Sequence, residues 1–383
     1  MTDRRTIIYL DANATEPMRP AALHAAVAAM EQGGNPSSVH HAGRAARRTL
    51  EHAREAIAAR FTGRATDLVF TSGGTEADAL AVHGLGQGRR LIVGATEHDA
   101  VRAAARGAEV LPVDASGIAD LDALARLLAA RPPAPAPALV CLMLANNETG
   151  TIQPIAETAA LCRAAGAWLH VDAVQAAGRI AVDFAALGAH SLALSSHKLG
   201  GPPGAGALLL APEAAAVLRP LIEGGGQERG RRGGTPPLPA IAGFAAAAEA
   251  ATGANALAAL RDKAEAAAMA AGAVPLGADA PRLPNTACLA LPGVKAETQV
   301  IALDLAGIAV SAGAACSSGK VARSHVLAAM GAGALASEAI RVSLPWNATE
   351  ADIDAFADAY RAMAARLSRP VFGNGPPDPI CAA

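Results

Sequence analysis

The sequence predicts an α/β protein whose larger domain holds a mostly parallel seven-stranded sheet. Short segments rich in Val, Leu and Ile alternate with alanine-rich segments at helical spacing between residues 68 and 211, which is typical of a parallel sheet with crossover helices. The 383 residues suffice for two domains that share a sizeable core. Since 52% of the residues are hydrophobic and only 3% are aromatic, that core must consist of Ala, Leu, Val and Ile.

Strand and helix signals alternate along the first two thirds of the chain. A short strand at the N-terminus precedes a helical region from about 21 to 61, which is broken at Gly33-Gly34-Asn35-Pro36. The strands of the large sheet are expected at 68–71, 91–95, 109–113, 139–145, 168–171, 191–195 and 207–211. Helices between these strands are expected to begin near Thr75, Asp99, Asp120 and Pro154.

A break at Gly253-Ala254-Asn255, after a long alanine-rich helix, marks the boundary between two domains. Beyond it the pattern predicts a strand over 286–291, a helix near 296–306, a strand over 308–311 and a last helix over 350–367. We assign residues 15–253 to the large domain, and residues 1–14 together with 254–370 to a smaller C-terminal α/β domain. Residues 371–383 are expected to form a flexible tail.

Composition excludes several classes of function. A net charge of -2 gives no electrostatic preference for nucleic acid or an anionic membrane, and no apolar segment is long enough to span a bilayer. The five cysteines are scattered, odd in number and without a Cys-x-x-Cys pair, which argues against a disulfide framework or a structural zinc site. We expect a soluble cytoplasmic protein that binds no metal and no nucleic acid.

Lysine is rare in this chain, and one lysine lies in a segment that suggests chemistry. Only 4 of the 32 basic residues are lysines, and Lys198 follows an apolar run and precedes a glycine-rich turn. Arginine replaces lysine where only a cation is needed, but it does not form an imine with an aldehyde and does not readily release a proton. A solvated loop lysine explains this segment equally well, so other segments must decide.

Two further segments supply groups that complete a cofactor site. Gly74 and Thr75 lie between a predicted strand and a predicted helix, where backbone and hydroxyl donors bind a phosphate dianion, although such turns also occur with nothing bound. Asp172 ends an apolar strand in the crevice where open α/β sheets bind ligands, although an aspartate there also serves as a helix cap. Lys198 follows 26 residues later. Together, the phosphate site, the carboxylate and the lysine are the three groups that bind pyridoxal 5'-phosphate.

Motifs along nearly the whole chain resemble those of the cysteine desulfurases, which are fold-type I pyridoxal-phosphate enzymes of the class V aminotransferase superfamily. The motifs are Tyr9-Leu-Asp-Ala-Asn-Ala-Thr15, Gly34-Asn-Pro-Ser-Ser38, Phe70-Thr-Ser-Gly-Gly-Thr-Glu76, Thr96-Glu-His98, Asn146-Asn-Glu-Thr-Gly150, His170-Val-Asp-Ala-Val-Gln175, Ser196-His-Lys198 and Ser311-Ala-Gly-Ala-Ala-Cys316-Ser-Ser-Gly319. The serine-rich surroundings of Cys316 resemble the nitrogen-fixation and housekeeping iron–sulfur assembly branch.

The resemblance implies a role for each matching residue. His98 would stack on the pyridine ring and act as an acid–base group. The phosphate would lie among Gly74, Thr75, Ser195 and His197, and the phenolic oxygen of the ring near Asn147 and Gln175. Arg341 and Asn35 would bind the substrate carboxylate. Thr235 would reach the phosphate of a partner subunit, which implies a homodimer, although Pro236-Pro237 stands where the family usually has Glu-Asn.

Cys316 lies among Ala, Gly and Ser, unlike a structural cysteine in an apolar strand, and the resemblance makes it the nucleophile. The implied reaction converts L-cysteine to L-alanine and leaves a persulfide on Cys316, which passes to an acceptor such as an iron–sulfur scaffold protein. A selenocysteine lyase or another class V aminotransferase is the alternative within the enzyme class. A non-catalytic sulfur-assembly partner is the alternative outside it.

Overall fold

The computed structural model describes residues 7–130, 136–313 and 323–368. Its strands are β1 (Ile8–Tyr9), β2 (Leu68–Thr71), β3 (Arg89–Gly94), β4 (Glu109–Leu111), β5 (Ala136–Cys141), β6 (Trp168–Asp172), β7 (Ser191–Ser195), β8 (Gly206–Leu210), β9 (Val274–Pro275), β10 (Thr286–Ala290), β11 (Ile308–Ala309), β12 (Ser311–Ala312) and β13 (Ala339–Ser343). Its α-helices are α1 (Pro20–Gln32), α2 (His41–Arg60), α3 (Gly74–Leu85), α4 (Asp99–Ala104), α5 (Leu121–Ala129), α6 (Ile155–Ala164), α7 (Phe184–Leu187), α8 (Pro212–Val217), α9 (Leu238–Ala250), α10 (Leu257–Ala270), α11 (Ala296–Leu305), α12 (His325–Ala329) and α13 (Glu350–Leu367).

The larger sheet has the order β2-β8-β7-β6-β5-β3-β4, which confirms the predicted seven-stranded architecture. Only β8 runs against its neighbours β2 and β7, while β3, β4, β5, β6 and β7 pair in parallel. All strands except β8 therefore end at the same edge of the sheet. In open α/β sheets this carboxyl edge is where ligands bind.

Alanine-rich helices cover the large sheet at close range. The helices α1 and α2 pack on α9 through buried alanines, among them Ala22, Ala26 and Ala46. At Gly243 of α9, an added Cβ would lie 2.6 Å from the Pro202 ring and 3.0 Å from the backbone oxygen of Ala22. Small side chains let these backbones approach, which explains how a core with few aromatic residues is filled.

A second hydrophobic core belongs to the C-terminal part of the chain. It forms around Phe356 and Tyr360 of α13 and the antiparallel sheet β12-β13-β10-β9. The predicted strand over 308–311 was wrong as a single element. Residues Ile308–Ala309 pair with β1, whereas Ser311–Ala312 pair with β13, because the chain passes from one small sheet to the next at Val310.

The N-terminal segment connects the two cores. Its strand β1 pairs in parallel with β11, and Asp11 and Ala12 then run beside Ser343. Asn13 donates from Nδ2 to the backbone oxygen of Asn147 and to Thr286 Oγ1. The domain boundaries at 14/15 and 253/254 stay predictions. No helix within residues 7–130, 136–313 and 323–368 has both the length and the apolar character needed to cross a bilayer.

Candidate active site

A cavity of about 230 Å³ opens at the carboxyl edge of the large sheet. Its walls come from the segments that follow β2, β3, β5, β6 and β7, together with the N-terminal segment and β13. The structure thereby brings together most of the residues that the sequence predicts for one site. The predicted residues that line the cavity are Gly74, Thr75, His98, Asn147, Asp172, Gln175, Ser195, His197, Lys198 and Arg341.

The turn from β2 into α3 offers the donors expected of a phosphate site. Gly74 and Thr75 form the first turn of α3, whose backbone N–H groups have no partner within the helix. The strand β8 passes close beneath this turn, since a Cβ at Gly206 would lie 2.6 Å from the carbonyl carbon of Gly73. Ser195 Oγ is buried without a hydrogen-bond partner among the described residues, and Ser195 lines the same cavity. A phosphate oxygen supplies the partner that this hydroxyl lacks, so the residues fit the phosphate of pyridoxal 5'-phosphate.

Asp172 lies at the end of β6, with its Oδ1 accepting the N–H of Val174 at 2.8 Å. The residues that follow form a turn rather than a helix, so Asp172 caps no helix. Burial raises the pKa of Asp172 to about 7, and repulsion from Asp78 adds to this shift. A protonated pyridine nitrogen beside this buried carboxyl group would favour its ionised form, so Asp172 suits that position.

Asp78 is a residue of the cavity that the sequence reasoning missed. It lies one turn after Gly74 on α3, and its Oδ1 is 3.2 Å from Nε2 of the buried His170. The other ring nitrogen of His170 is 2.9 Å from Ser191 Oγ. Burial raises the pKa of Asp78 to about 7 and lowers the pKa of His170 to about 4. The spacing of four residues from Gly74 was the available signal, because positions i and i+4 share a helix face.

Lys198 lies in a 3₁₀ turn directly after β7. Its Nζ donates to the backbone oxygens of Asn13 at 2.5 Å and Ala14 at 2.8 Å. These carbonyls belong to the N-terminal segment, which contributes Asn13 to the cavity wall. The position on a sheet edge inside a cavity excludes the alternative of a solvated loop lysine.

Both predicted histidines face the cavity in defined orientations. His98 is the N-cap of α4, and its Nδ1 accepts the N–H of Ala100 at 3.1 Å. A neutral His98 ring therefore carries its proton on Nε2. The ring of His197 contacts Thr15 Oγ1 through Nδ1 at 3.1 Å, and burial, with the charges of Lys198 and Arg179, lowers the pKa of His197 to about 4.

Arg341 reaches the cavity from β13 and already holds two partners. Its guanidinium donates to Asp11 Oδ1 at 2.6 Å and to the backbone oxygen of Asn147 at 3.1 Å. Its Nε is buried without a partner among the described residues. Asp11 was not anticipated from the sequence, and it fixes the direction in which the guanidinium fork points.

Two predicted residues, Asn35 and Thr235, lie away from the cavity. Asn35 is exposed in the loop between α1 and α2, where its Oδ1 accepts the N–H of Ser37. Thr235 is exposed in the loop before α9, and Arg232 of that loop forms a bidentate pair with Glu76 of α3 at 2.7 and 3.1 Å. Cys316 lies outside the described residues. Of the other cysteines, Cys141, Cys162 and Cys288 are buried, and burial raises the pKa of each of these thiols.

Comparisons with known proteins agree with this geometry. The sequence profile of the family described as aminotransferase class-V matches residues 8–356. An "IscS-like cysteine desulfurase" of Mycobacterium tuberculosis is 40% identical over 386 residues, which cover 94% of this chain and 97% of that protein. A "Cysteine desulfurase" of Cereibacter sphaeroides is 43% identical over 368 residues, with 91% and 93% covered.

Solved structures give the same assignment. The X-ray structure of a NifS-like protein from Rickettsia africae superposes with a TM-score of 0.86 at 33% identity, covering 94% of this chain and 99% of that one. A structure described as SspA in complex with cysteine superposes with a TM-score of 0.77 at 29% identity, covering 88% and 98%. By sequence profile, by curated relatives and by fold, the chain belongs to the aminotransferase class-V family, among its cysteine desulfurases.

Proposed function

We propose that this protein is a pyridoxal-phosphate-dependent cysteine desulfurase that converts L-cysteine to L-alanine and forms a persulfide on Cys316. The observation that carries the proposal is the convergence of Lys198, Asp172 and Ser195 on one cavity, where the Ser195 hydroxyl has no hydrogen-bond partner in the described part of the chain. A structural relative described in complex with cysteine supports this amino acid as the substrate. No observation favours an aminotransferase, a selenocysteine lyase or a non-catalytic partner.

Different residues of the cavity would hold different parts of the cofactor. Gly74, Thr75, Ser195 and His197 would hold the phosphate, while Asp172 would keep the proton on the pyridine nitrogen. When bound, pyridoxal 5'-phosphate supplies an electron-accepting ring and an aldehyde that activate the bonds of an amino acid at Cα. Gln175 and Asn147 would lie near the phenolic oxygen, and His98 would flank the ring.

Lys198 would take the proton from the substrate Cα, since its amine lies in the cavity and a lysine accepts a proton once it is neutral. Arg341 would orient the substrate by its carboxylate, with the unpaired Nε as the available donor. The thiolate of Cys316 then attacks the substrate sulfur. An S–S bond forms, the Cβ–S bond breaks, and its electron pair stays with the carbon fragment, which takes up a proton and leaves as alanine.

The finer assignments extend this proposal. Of the four thiols other than Cys316, three are buried with raised pKa values, which leaves them unsuited to nucleophilic attack. We propose a cytoplasmic homodimer in which Thr235, which is exposed in the single chain, reaches the partner's phosphate. The persulfide sulfur would pass to an iron–sulfur scaffold protein.

A reduction experiment tests the cofactor assignment. The protein is incubated with pyridoxal 5'-phosphate, reduced with borohydride and digested, and the mass added to each lysine peptide is measured. We expect the added mass on the Lys198 peptide in the wild type and in Lys263→Arg, and no specific labelling in Lys198→Arg. Alanine released from L-cysteine should disappear only in Lys198→Arg. Labelling spread over several lysines would contradict the assignment.

A further inference from the structure

Glu148 is a buried glutamate that directly follows Asn147 in the loop after β5. Its Oε2 accepts the hydroxyl hydrogen of Ser324 at 2.6 Å, and both residues are 2% exposed. Ser324 also accepts the N–H of Leu327 as the N-cap of α12. The contact therefore joins the wall of the cofactor cavity to the chain that enters α12.

The same carboxylate also contacts the chain on the other side of residues 314–322. A Cβ added at Gly313 would lie 2.4 Å from Glu148 Oε2, so the backbone of Gly313 packs directly against this oxygen. Gly313 and Ser324 are eleven positions apart in the sequence, yet both meet Oε2 of Glu148. The residues between them include Cys316.

A second contact holds the C-terminal end of this segment. His325 Nε2 is 3.0 Å from the backbone oxygen of Glu97, the residue before His98. Ser324 and His325 thus contact the neighbours of two predicted site residues, Asn147 and His98. Described residues on both sides of residues 314–322, which include Cys316, thus contact the immediate neighbours of cavity-lining residues.

Because Gly313 and Cys316 are close in the sequence, the contact of Gly313 with Glu148 bears on the sulfur-transfer step. Cys316 follows Gly313 by only three positions in the sequence, so a contact that fixes Gly313 acts on the chain close to the predicted nucleophile. A shift of Gly313 therefore changes the point from which the chain continues towards Cys316. A misplacement of about 1 Å between reacting groups can cost on the order of 10²-fold in rate.

We propose that Glu148 is a positioning residue that holds Gly313 and Ser324, two described residues on either side of Cys316 in the sequence, beside the cofactor cavity. This inference rests on the proposed function. Transfer of sulfur to Cys316 depends on the attachment, whereas binding of the cofactor and removal of the substrate Cα proton do not.

Substitutions at Ser324 separate this role from a general loss of structure. Ser324→Asp keeps a cap for α12 but sets a second carboxyl group against Glu148, whereas Ser324→Thr keeps both the cap and the hydroxyl donor. Gly313→Ala places a methyl group against the same carboxylate oxygen, Oε2 of Glu148. The controls are Ser337→Ala, at an exposed serine, and Gly63→Ala, whose nearest contacts would be side-chain carbons of Leu209 rather than backbone atoms.

Three quantities are measured for each variant: the single-turnover rate of sulfur appearance on Cys316 by mass spectrometry, the exchange of the cysteine Cα hydrogen with solvent deuterium, and the affinity for pyridoxal 5'-phosphate. We expect sulfur transfer to fall about 10- to 100-fold in Ser324→Asp and Gly313→Ala. Exchange and cofactor affinity should stay within about twofold of the wild type, and Ser324→Thr should retain transfer. Transfer equal to the wild type in Ser324→Asp, or a joint fall of all three quantities, would overturn the inference alone. Absence of sulfur on Cys316 in the wild type would overturn the proposed function and the inference with it.

Discussion

Asp78 and Asp172 bring two carboxyl groups into one buried cavity, and this pairing has a cost in the absence of the cofactor. Burial raises the pKa of each to about 7, and their mutual repulsion contributes at Asp172. The folded protein thus holds these protons more tightly than the unfolded chain, in which an aspartate has a pKa of 3.8. The stability they contribute is present at low pH and is lost as the pH rises from about 4 to about 7.

This reasoning predicts the stability of the cofactor-free protein as a function of pH. At pH 8, Asp78→Asn and Asp172→Asn should each raise the free energy of unfolding by about 1–3 kcal/mol, because they remove a buried negative charge. At pH 5 the difference in unfolding free energy between each variant and the wild type should be smaller, since the aspartates are then protonated. Urea unfolding at both pH values measures it, with the exposed Asp262→Asn as the control. A gain at pH 5 equal to that at pH 8 would contradict the assignment of the two pKa values.

A site residue could be predicted from the sequence when the signal for it lies in its own segment of the chain. Lys198 stands out by its rarity and Asp172 by its position at the end of an apolar strand, and both line the cavity. Asp11 and Glu148 were not recognised, because their partners Arg341 and Ser324 lie far away in the sequence. A carboxylate that acts through a long-range contact leaves no local pattern.

At the scale of the elements, β8 lies between β2 and β7 and passes directly beneath the phosphate site. It is the one strand of this sheet that opposes its neighbours, and it passes so close to the β2–α3 turn that only glycine fits at position 206. The shape of the donor array around Gly74 therefore depends on a backbone contact rather than on a side chain. This contact is the structural reason for the glycine that begins β8.

We predict that Gly206→Ala lowers the affinity for pyridoxal 5'-phosphate about tenfold or more, because the new methyl group displaces the backbone of Gly73. Gly63→Ala is the matched control, since its methyl group would meet side-chain carbons of Leu209 on the same strand β8 rather than backbone atoms. Absorbance titration with the cofactor measures the affinity. Equal affinities for the two variants would show that the close approach of β8 does not shape the site.

The strands themselves were predicted to within a few residues where an apolar run coincides with a buried strand. The ranges 68–71 and 191–195 agree with β2 and β7, and the last helix agrees with α13. The predicted strand over 139–145 was displaced, because pairing ends at Cys141 and the apolar chain continues into the cavity wall. The antiparallel direction of β8 and the division of 308–311 depend on which strands meet in space, and no periodicity encodes that.

At the scale of the whole molecule, the N-terminal segment links the two cores to the chemistry. It pairs with β11, orients Arg341 through Asp11, and receives the Lys198 amine on the carbonyls of Asn13 and Ala14. The cavity is therefore lined from both parts of the chain, with Arg341 coming from β13. Asn35 and Thr235 are exposed in the single chain, and a homodimer remains the proposal that gives them a role.

The most direct test of the central claim is mass spectrometry of the cofactor-loaded protein after brief exposure to L-cysteine. The account predicts a gain of one sulfur on the peptide that contains Cys316 in the wild type and in Cys162→Ala. It predicts no gain in Cys316→Ala or in Lys198→Arg. Production of alanine from L-cysteine in the wild type without sulfur on Cys316 would contradict the account, and the protein would then be a lyase whose Cys316 takes no part.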